Sequence, residues 1–203
     1  GLAIGMAACI LILLYIRYEQ SYDEWIPDVE NTYQFQTYGK NPDDGQEFNF
    51  RMASYVTKDR IKKDFPQVVA AAYIQDNEPV LLKDGQASAT EDFLFTDDDF
   101  LKVVSLPLVA GTTLTSPQTA VITKSEAIKQ FGSDEVLGRT HTVISRGEKG
   151  DFKINGVLED LPKNSQMKVN AIMRLDYGAF NANNPQFLTC WGCQSGWVYL
   201  KVR

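Results

Sequence analysis

Cys190-Trp191-Gly192-Cys193 is the stretch of this 203-residue sequence most able to do chemistry. Two cysteines at that spacing serve as a redox dithiol, as half a zinc site or as a small structural disulfide. The zinc reading lacks its other half, because Cys9 lies in an apolar run and His141 is the one histidine. A thioredoxin-type pair should open a helix after a buried strand, yet Asn181 to Leu188 before it is polar and rich in Asn and Pro. Outside the cytoplasm a local disulfide of Cys190 and Cys193 is the first expectation, ahead of free thiols and of any catalytic role. Ser165-Gln166-Met167-Lys168 matches the bare S-x-x-K pattern. Penicillin-binding chemistry needs that Ser and Lys on one helical turn, and here the motif runs into a predicted strand. Asp97-Asp98-Asp99 and Glu159-Asp160 offer paired carboxylates, but consecutive carboxylates rarely converge on one bond. Helix capping and solvated turns are the expectation for them. Asp43, Asp44 and Glu47 lack the EF-hand spacing. His141, between two threonines, is expected on a strand surface.

Composition narrows the classes further. No G-x-x-x-x-G-K-[ST] or G-x-G-x-x-G loop is present to cradle a nucleotide phosphate, and no cofactor is expected. A single histidine rules out a His-rich metal site, and three cysteines do not make a disulfide scaffold. The net charge of −6 argues against a nucleic-acid partner, which would call for a basic face. With 44% hydrophobic residues the chain can bury a real core. Charge is uneven: Gly1 to Phe100 is net −10 and Leu101 to Arg203 is net +4. The halves either meet through opposite fields or carry ordinary solvated surface.

The elements that would carry these residues begin with a membrane segment. Gly1 to Ile16 has no charged residue. As a helix it rises about 24 Å, a little short of a hydrocarbon core of about 30 Å. The run starts without Met or a basic flank, so the chain is expected to begin inside a transmembrane helix covering residues 1–20. A signal peptide would need a basic start and a small-residue cleavage site. Met6-Ala7-Ala8-Cys9 faintly resembles a lipoprotein box, but apolar residues follow the Cys where polar ones should. A buried core helix would show a polar face. Gly1 and Gly5, four apart, could let a neighbouring helix approach closely. Tyr15, Tyr18, Tyr22 and Trp25 suit an interfacial belt, and the acidic flank Glu19, Asp23 and Glu24 points to the outer side. Tyr18, Tyr22 and Trp25 fall on one helical face, which predicts a rigid stalk to about residue 26, ended by Pro27.

The remainder, 27–203, reads as strands with short helices, an α+β domain. Strands are predicted at Asn31 to Tyr38, Gln67 to Ile74, Pro79 to Leu82, Gln118 to Thr123, Lys168 to Leu175 and Trp197 to Val202. Gln86 to Phe95 should be extended. Thr140 to Ser145 and Phe152 to Leu158 flank Arg146-Gly147-Glu148-Lys149-Gly150-Asp151 as a hairpin. Helices are predicted at Ser54 to Phe65 with Ser54 as cap, from Asp97 to Val104, and at Ser125 to Phe131 with Gly132 as C-cap. The last strand reaches the chain end, which is therefore expected to be cut.

Several stretches, in order, resemble the MacB-like periplasmic domain of FtsX-type ABC transporter permeases. They are GLAIGMAACILILLYIRYEQSYDEW, NTYQFQT, FLFTDDDFLKVVSLPLVAGT, TAVITKSEAIKQFG with DEVLGRT, and DFKINGVLEDLPKNSQM. Gln166 stands where a His is common, and the two cysteines of CWGC lie outside the pattern. The resemblance implies a permease subunit of the bacterial inner membrane with its N-terminus inside. A two-lobed periplasmic domain and further membrane helices would follow the first span. It implies a cytoplasmic ABC nucleotide-binding domain or subunit as partner, a second permease copy, and a periplasmic adaptor or lipoprotein. It also implies no catalytic residues in this domain, which would transmit ATP-driven movement. Relatives export macrolides or peptides, or release lipoproteins. The competing class is a membrane-anchored periplasmic enzyme using the C-x-x-C or S-x-x-K residues.

Overall fold

The computed structural model describes residues 1–76, 79–83, 86–145 and 147–203. The chain opens with a 19-residue helix, α1 (Leu2–Gln20), none of whose side chains is buried. Its surface is apolar all round, so nothing on the helix itself selects a face to bury in the body. Among the described residues it is the one helix long and apolar enough to cross a membrane.

The body alternates strands with short helices: β1 (Thr32–Gln34), β2 (Thr37–Lys40), β3 (Glu47–Phe50), α2 (Val56–Asp64), β4 (Val68–Gln75), β5 (Val80–Lys83), β6 (Gln86–Ala89), β7 (Phe93–Thr96), α3 (Phe100–Val103), β8 (Leu108–Gly111), β9 (Thr119–Thr123), α4 (Lys124–Phe131), β10 (Thr140–Ser145), β11 (Glu148–Leu158), β12 (Ala171–Arg174), α5 (Tyr177–Phe180) and β13 (Trp197–Val202). Eleven strands form one mixed sheet in the order β1-β13-β4-β7-β12-β9-β11-β10-β5-β6, with β8 also on β11. The β7–β12 and β9–β11 pairs are parallel. Strands β2 and β3 form a separate hairpin.

Both faces of the central strands are covered, which is why β4, β9 and β12 read as continuous apolar runs rather than alternating ones. Ala120, Ile122, Ala171 and Met173 enter a cluster with Phe93, Phe95, Phe152 and Ile154. The residues between them, Val121 and Ile172, enter the opposite cluster with Ala72, Ile74, Phe100 and Leu158. A third cluster gathers Tyr73, Tyr177, Phe187 and Val198. Gly132 ends α4 in the left-handed region at φ 73°, where its amide donates to Ile128 O at 2.8 Å.

Several local expectations need correction. The predicted strand from Asn31 to Tyr38 is split into β1 and β2. Phe35 still donates its amide to Val198 O but turns its ring into the third cluster, and β2 then leaves to pair with β3. The extended stretch from Gln86 is broken at Asp92, whose φ is 57°. Ser54 does not cap α2 with its side chain; its Oγ lies 3.0 Å from Thr57 Oγ1 instead. Strands β10 and β11 form the expected antiparallel pair, and Arg146 at its turn lies outside the described residues. His141 is not on a surface: it is 2% exposed. The alternation of β10 sends His141, Val143 and Ser145 inward, and the imidazole sits between the rings of Phe93 and Phe131, 6.0 and 5.0 Å away.

Candidate functional site

Helix α1 joins the body through the six residues that follow it, Ser21 to Ile26. Helix α1 ends at Gln20, short of the predicted stalk to Trp25. Polar side chains at Ser21 and Asp23 compete for the backbone and stop the helix. Ser21 Oγ donates to Tyr18 O at 2.7 Å, and Asp23 adopts φ 60°, a conformation that Asp tolerates better than most residues. Tyr18 and Tyr22 still meet edge to face, with ring centroids 5.5 Å apart. Trp25 does not join them; it leaves their face to pack against the cluster under β4 and α3, together with Ile26 and Val29.

The partner of this turn is the loop after β11, Pro162 to Met167. Asp23 donates its amide to Asn164 O at 3.0 Å. Its Oδ1 accepts from Gln166 N at 2.9 Å and lies 3.1 Å from Ser165 Oγ. The single Ser165 hydroxyl proton is shared with Met167 O, 2.9 Å away. Asn164 Nδ2 reaches back to Ser21 O at 2.8 Å and to Ser21 Oγ at 3.1 Å. Ser165 is fully buried, whereas Ser21, Asp23 and Asn164 are half-buried and Gln166 is exposed, so the clamp lies at the edge of the body. The loop joins β11 to β12, both central in the sheet. Helix α1 is thus tied to the middle of the body by a charged, hydrogen-bonded clamp and an adjoining apolar contact.

The other candidate residues are dispersed. Cys190 and Cys193 are joined by a disulfide, with Cα atoms 5.4 Å apart and Cys193 touching the third cluster. Trp191 projects from its loop, 57% exposed. Ser165 belongs to the clamp, while Lys168 Nζ donates to Lys163 O at 3.1 Å, so neither S-x-x-K residue is directed at the other. Gly1 and Gly5 have no heavy atom within 4 Å of where a Cβ would sit. The three aspartates go separate ways. Asp97 is buried and paired with Lys58 at 2.8 Å. Asp98 faces Arg174 at 3.8 Å, and Asp99 lies between Lys62 and Lys102. Glu159 pairs with Lys124, and Asp160 accepts from the amide and hydroxyl of Ser125 at the start of α4. Among the described residues no group of three or more His, Cys, Asp or Glu could hold a metal.

Closing the disulfide links residues only three apart, so its entropic stabilisation falls at the low end of the roughly 0–5 kcal/mol range. A Cys190→Ser/Cys193→Ser double variant should therefore lose about 1–2 kcal/mol in denaturant unfolding and keep its activity. Loss of activity without unfolding would instead point to thiol chemistry.

Sequence reasoning took Asp23 only as part of an acidic flank and did not single out Asn164. The available signal was the turn Pro162-Lys163-Asn164-Ser165, which follows a long strand and carries a polar pair able to bond backbone.

Comparison with known proteins places this arrangement. A domain of a permease protein from Porphyromonas gingivalis has a TM-score of 0.68 and 24% identity, covering 89% of this chain and 76% of that one. The periplasmic region of MacB from Actinobacillus actinomycetemcomitans has a TM-score of 0.56 and 16% identity, over 87% and 78% of the two chains. The extracellular domain of the noncanonic ABC-type transporter YknZ from Gram-positive bacteria has a TM-score of 0.53 and 17% identity, over 85% and 84%. At these identities the likeness is one of fold. Among curated proteins no sequence matches. The family described as the MacB-like periplasmic core domain matches residues 1–202, nearly the whole length, and the chain belongs to that family.

Proposed function

We propose that the domain is the periplasmic part of an ABC transporter permease of the bacterial inner membrane, and that it transmits movement rather than catalysing a reaction. ATP is hydrolysed by a separate nucleotide-binding domain or subunit in the cytoplasm. The resulting shift of α1 moves the periplasmic body, alongside a second permease copy and with a periplasmic adaptor or lipoprotein as the receiving partner. The observation that carries this reading is the clamp of Ser21 and Asp23 onto Asn164 to Gln166, because a transmitting joint must not absorb the motion it passes on.

The test uses the full-length transporter. Asp23→Ala removes the acceptor of the clamp and should cost about 2 kcal/mol of local stability. A flexible Gly-Ser insertion of about four residues after Tyr22 lengthens the joint without touching the body. Both variants should insert and fold, retain ATPase activity, and lose several-fold in transport per ATP hydrolysed. Unchanged transport per ATP in both would overturn the proposal.

A further inference from the structure

A cleft of about 230 Å³ opens where the residues after α1 meet β13 and the segment that follows β3. Two opposite charges line it, Asp23 and Arg51, and they make no ion pair with each other. Asp23 commits its Oδ1 to Gln166 N and Ser165, and among the described residues its Oδ2 accepts nothing. Arg51 sits one residue after β3, and its backbone is pinned nearby by the Ala53 amide, which donates to Gly196 O at 2.7 Å. The guanidinium itself has no hydrogen bond or ion pair among the described residues. Tyr199 of β13 feels both charges: burial raises the pKa of its hydroxyl, Arg51 draws it down and Asp23 pushes it up. That hydroxyl accepts from Gln34 Nε2 at 3.2 Å, which leaves its own proton to donate and the Gln34 amide oxygen to accept. Of the remaining polar lining, Thr32 is turned to the backbone oxygens of Asp28 and Val103, and Gln166 is exposed. The rest is apolar: Ile26, Val29, Val104 and Met167.

Charge and place together select a ligand. An uncommitted guanidinium with a phenol beside it receives an anion, and Arg matches phosphate with two parallel bonds. A free carboxylate oxygen and a free amide oxygen accept from an ammonium that carries N–H groups. A quaternary ammonium would call for a cage of aromatic rings, and Tyr199 is the one ring in the lining. The charges of the lining cancel, so a net-neutral zwitterion pairs both, while a purely anionic or cationic ligand leaves one alone. Arg17 is the first charged residue of α1, and Gln20 lies about 5 Å farther along the axis. Asp23, three residues on, stands at headgroup depth when α1 spans a bilayer. We propose that the cleft binds a phosphoethanolamine group, with its phosphate on Arg51 and Tyr199 and its ammonium on Asp23 and Gln34. The source is a phospholipid headgroup or a free phosphoethanolamine compound. The volume suits a headgroup and lies below that of a pocket for a drug-sized ligand. The lipid source rests on α1 standing in the membrane, as the proposed function does; recognition of the free compound does not.

The full chain, methyl-labelled at Val and Met, is followed by NMR in nanodiscs of phosphatidylcholine. In one arm phosphatidylethanolamine replaces a rising share of the lipid. In the other, O-phosphoethanolamine is added to the water phase. Met167 and Val104 methyl signals should shift saturably in at least one arm, while Val143, in the cluster on the other side of the sheet, should not. A shift in the lipid arm assigns the headgroup as source, and a shift with the free compound alone assigns a soluble one. Phosphatidylglycerol and O-phosphocholine lack an ammonium with N–H groups and should bind at least fivefold more weakly. Arg51→Gln, at an exposed position, should raise the half-saturation point about tenfold and leave thermal stability unchanged. Should the chain fail to enter nanodiscs, the membrane reading fails, and the free compound still tests the site on the chain in detergent. No saturable shift in either arm overturns the proposal. So does an equal response to phosphatidylglycerol or O-phosphocholine, or an Arg51→Gln chain that binds as tightly.

Discussion

Asp97→Ala should destabilise the folded domain by about 3–5 kcal/mol, the usual consequence of leaving one charge of a buried pair alone. Asp97 lies just after β7, where its Oδ2 takes the Lys58 ammonium at 2.8 Å and the Tyr73 amide at 2.9 Å, and its Oδ1 takes the Asp99 amide at 3.0 Å. The carboxylate thus ties α2 to β4 and holds the turn into α3. Burial pushes the Asp97 carboxyl up from its ordinary range, opposed by Lys58 and the two amides. Burial also works against the Lys58 charge, but Asp97 beside it outweighs that and raises the ammonium's pKa. Removing the carboxylate strands the ammonium and two backbone donors together. Lys58→Met alone should cost nearly as much, because the carboxylate is then the unpaired charge. In Lys58→Met/Asp97→Asn the amide oxygen still accepts from one of the two backbone amides and no charge is buried. That double variant should recover a large part of the loss. Urea unfolding of all three, with equal slopes, makes the comparison. A loss under about 1 kcal/mol in Asp97→Ala would show that the pair is surface-like.

His141 should make the domain acid-sensitive by about 3 kcal/mol, through a single side chain. Burial holds its pKa down at about 4, against an ordinary 6.5. Neither ring nitrogen has a partner among the described residues. Lys83 lines the same small cleft and Arg139 lies over the Phe131 ring, and Asp151 accepts from the neighbouring Thr142, but burial is what lowers the pKa. The unfolded chain therefore takes up a proton that the folded chain refuses. This contribution to stability is full above about pH 6.5 and is lost as pH falls toward 4. Asp99 adds loss at lower pH: despite its burial, the Lys62 and Lys102 ammonium groups hold its carboxyl below the ordinary range. His141→Phe keeps an aromatic ring and removes both unpartnered nitrogens. It should raise stability at pH 7 and flatten the curve between pH 6.5 and 4, measured as urea midpoints across that range. Parallel curves for the variant and the unmodified chain would contradict the assignment.

Much of the body was legible because its strands are buried on both faces. Thr119–Thr123 is buried throughout and rich in β-branched residues, and Trp197–Val202 is mostly apolar and half-buried; no rival helical period competes with either. The clean end of α4 at Gly132 was legible for a similar local reason. What failed was whatever depended on distant residues. His141 reads as a threonine-flanked surface position until Phe131, ten residues back, and Phe93 close over it. The tyrosine spacing promised a longer helix, but Asn164 and Ser165, more than 140 positions away, capture Ser21 and Asp23 and end it early. Strand β8 was missed because its four residues are all exposed and it exists through its pairing with β11. The aspartate run does precede α3, with Asp99 at its N-terminal cap position, but the separate partners that tertiary contacts give its members were not legible.

The central claim is that α1 and the body move as one piece through the Asp23 clamp. It is tested most directly by a spin-label distance measurement in the full-length transporter, diluted with unlabelled protein in nanodiscs. Nitroxides placed at Leu13→Cys on α1 and Lys63→Cys on α2, in a Cys9→Ala background, report the helix against the body. The clamp predicts a narrow distance distribution that stays narrow when ATP binds, and that broadens in Asp23→Ala. A distribution equally broad with and without Asp23 would contradict it.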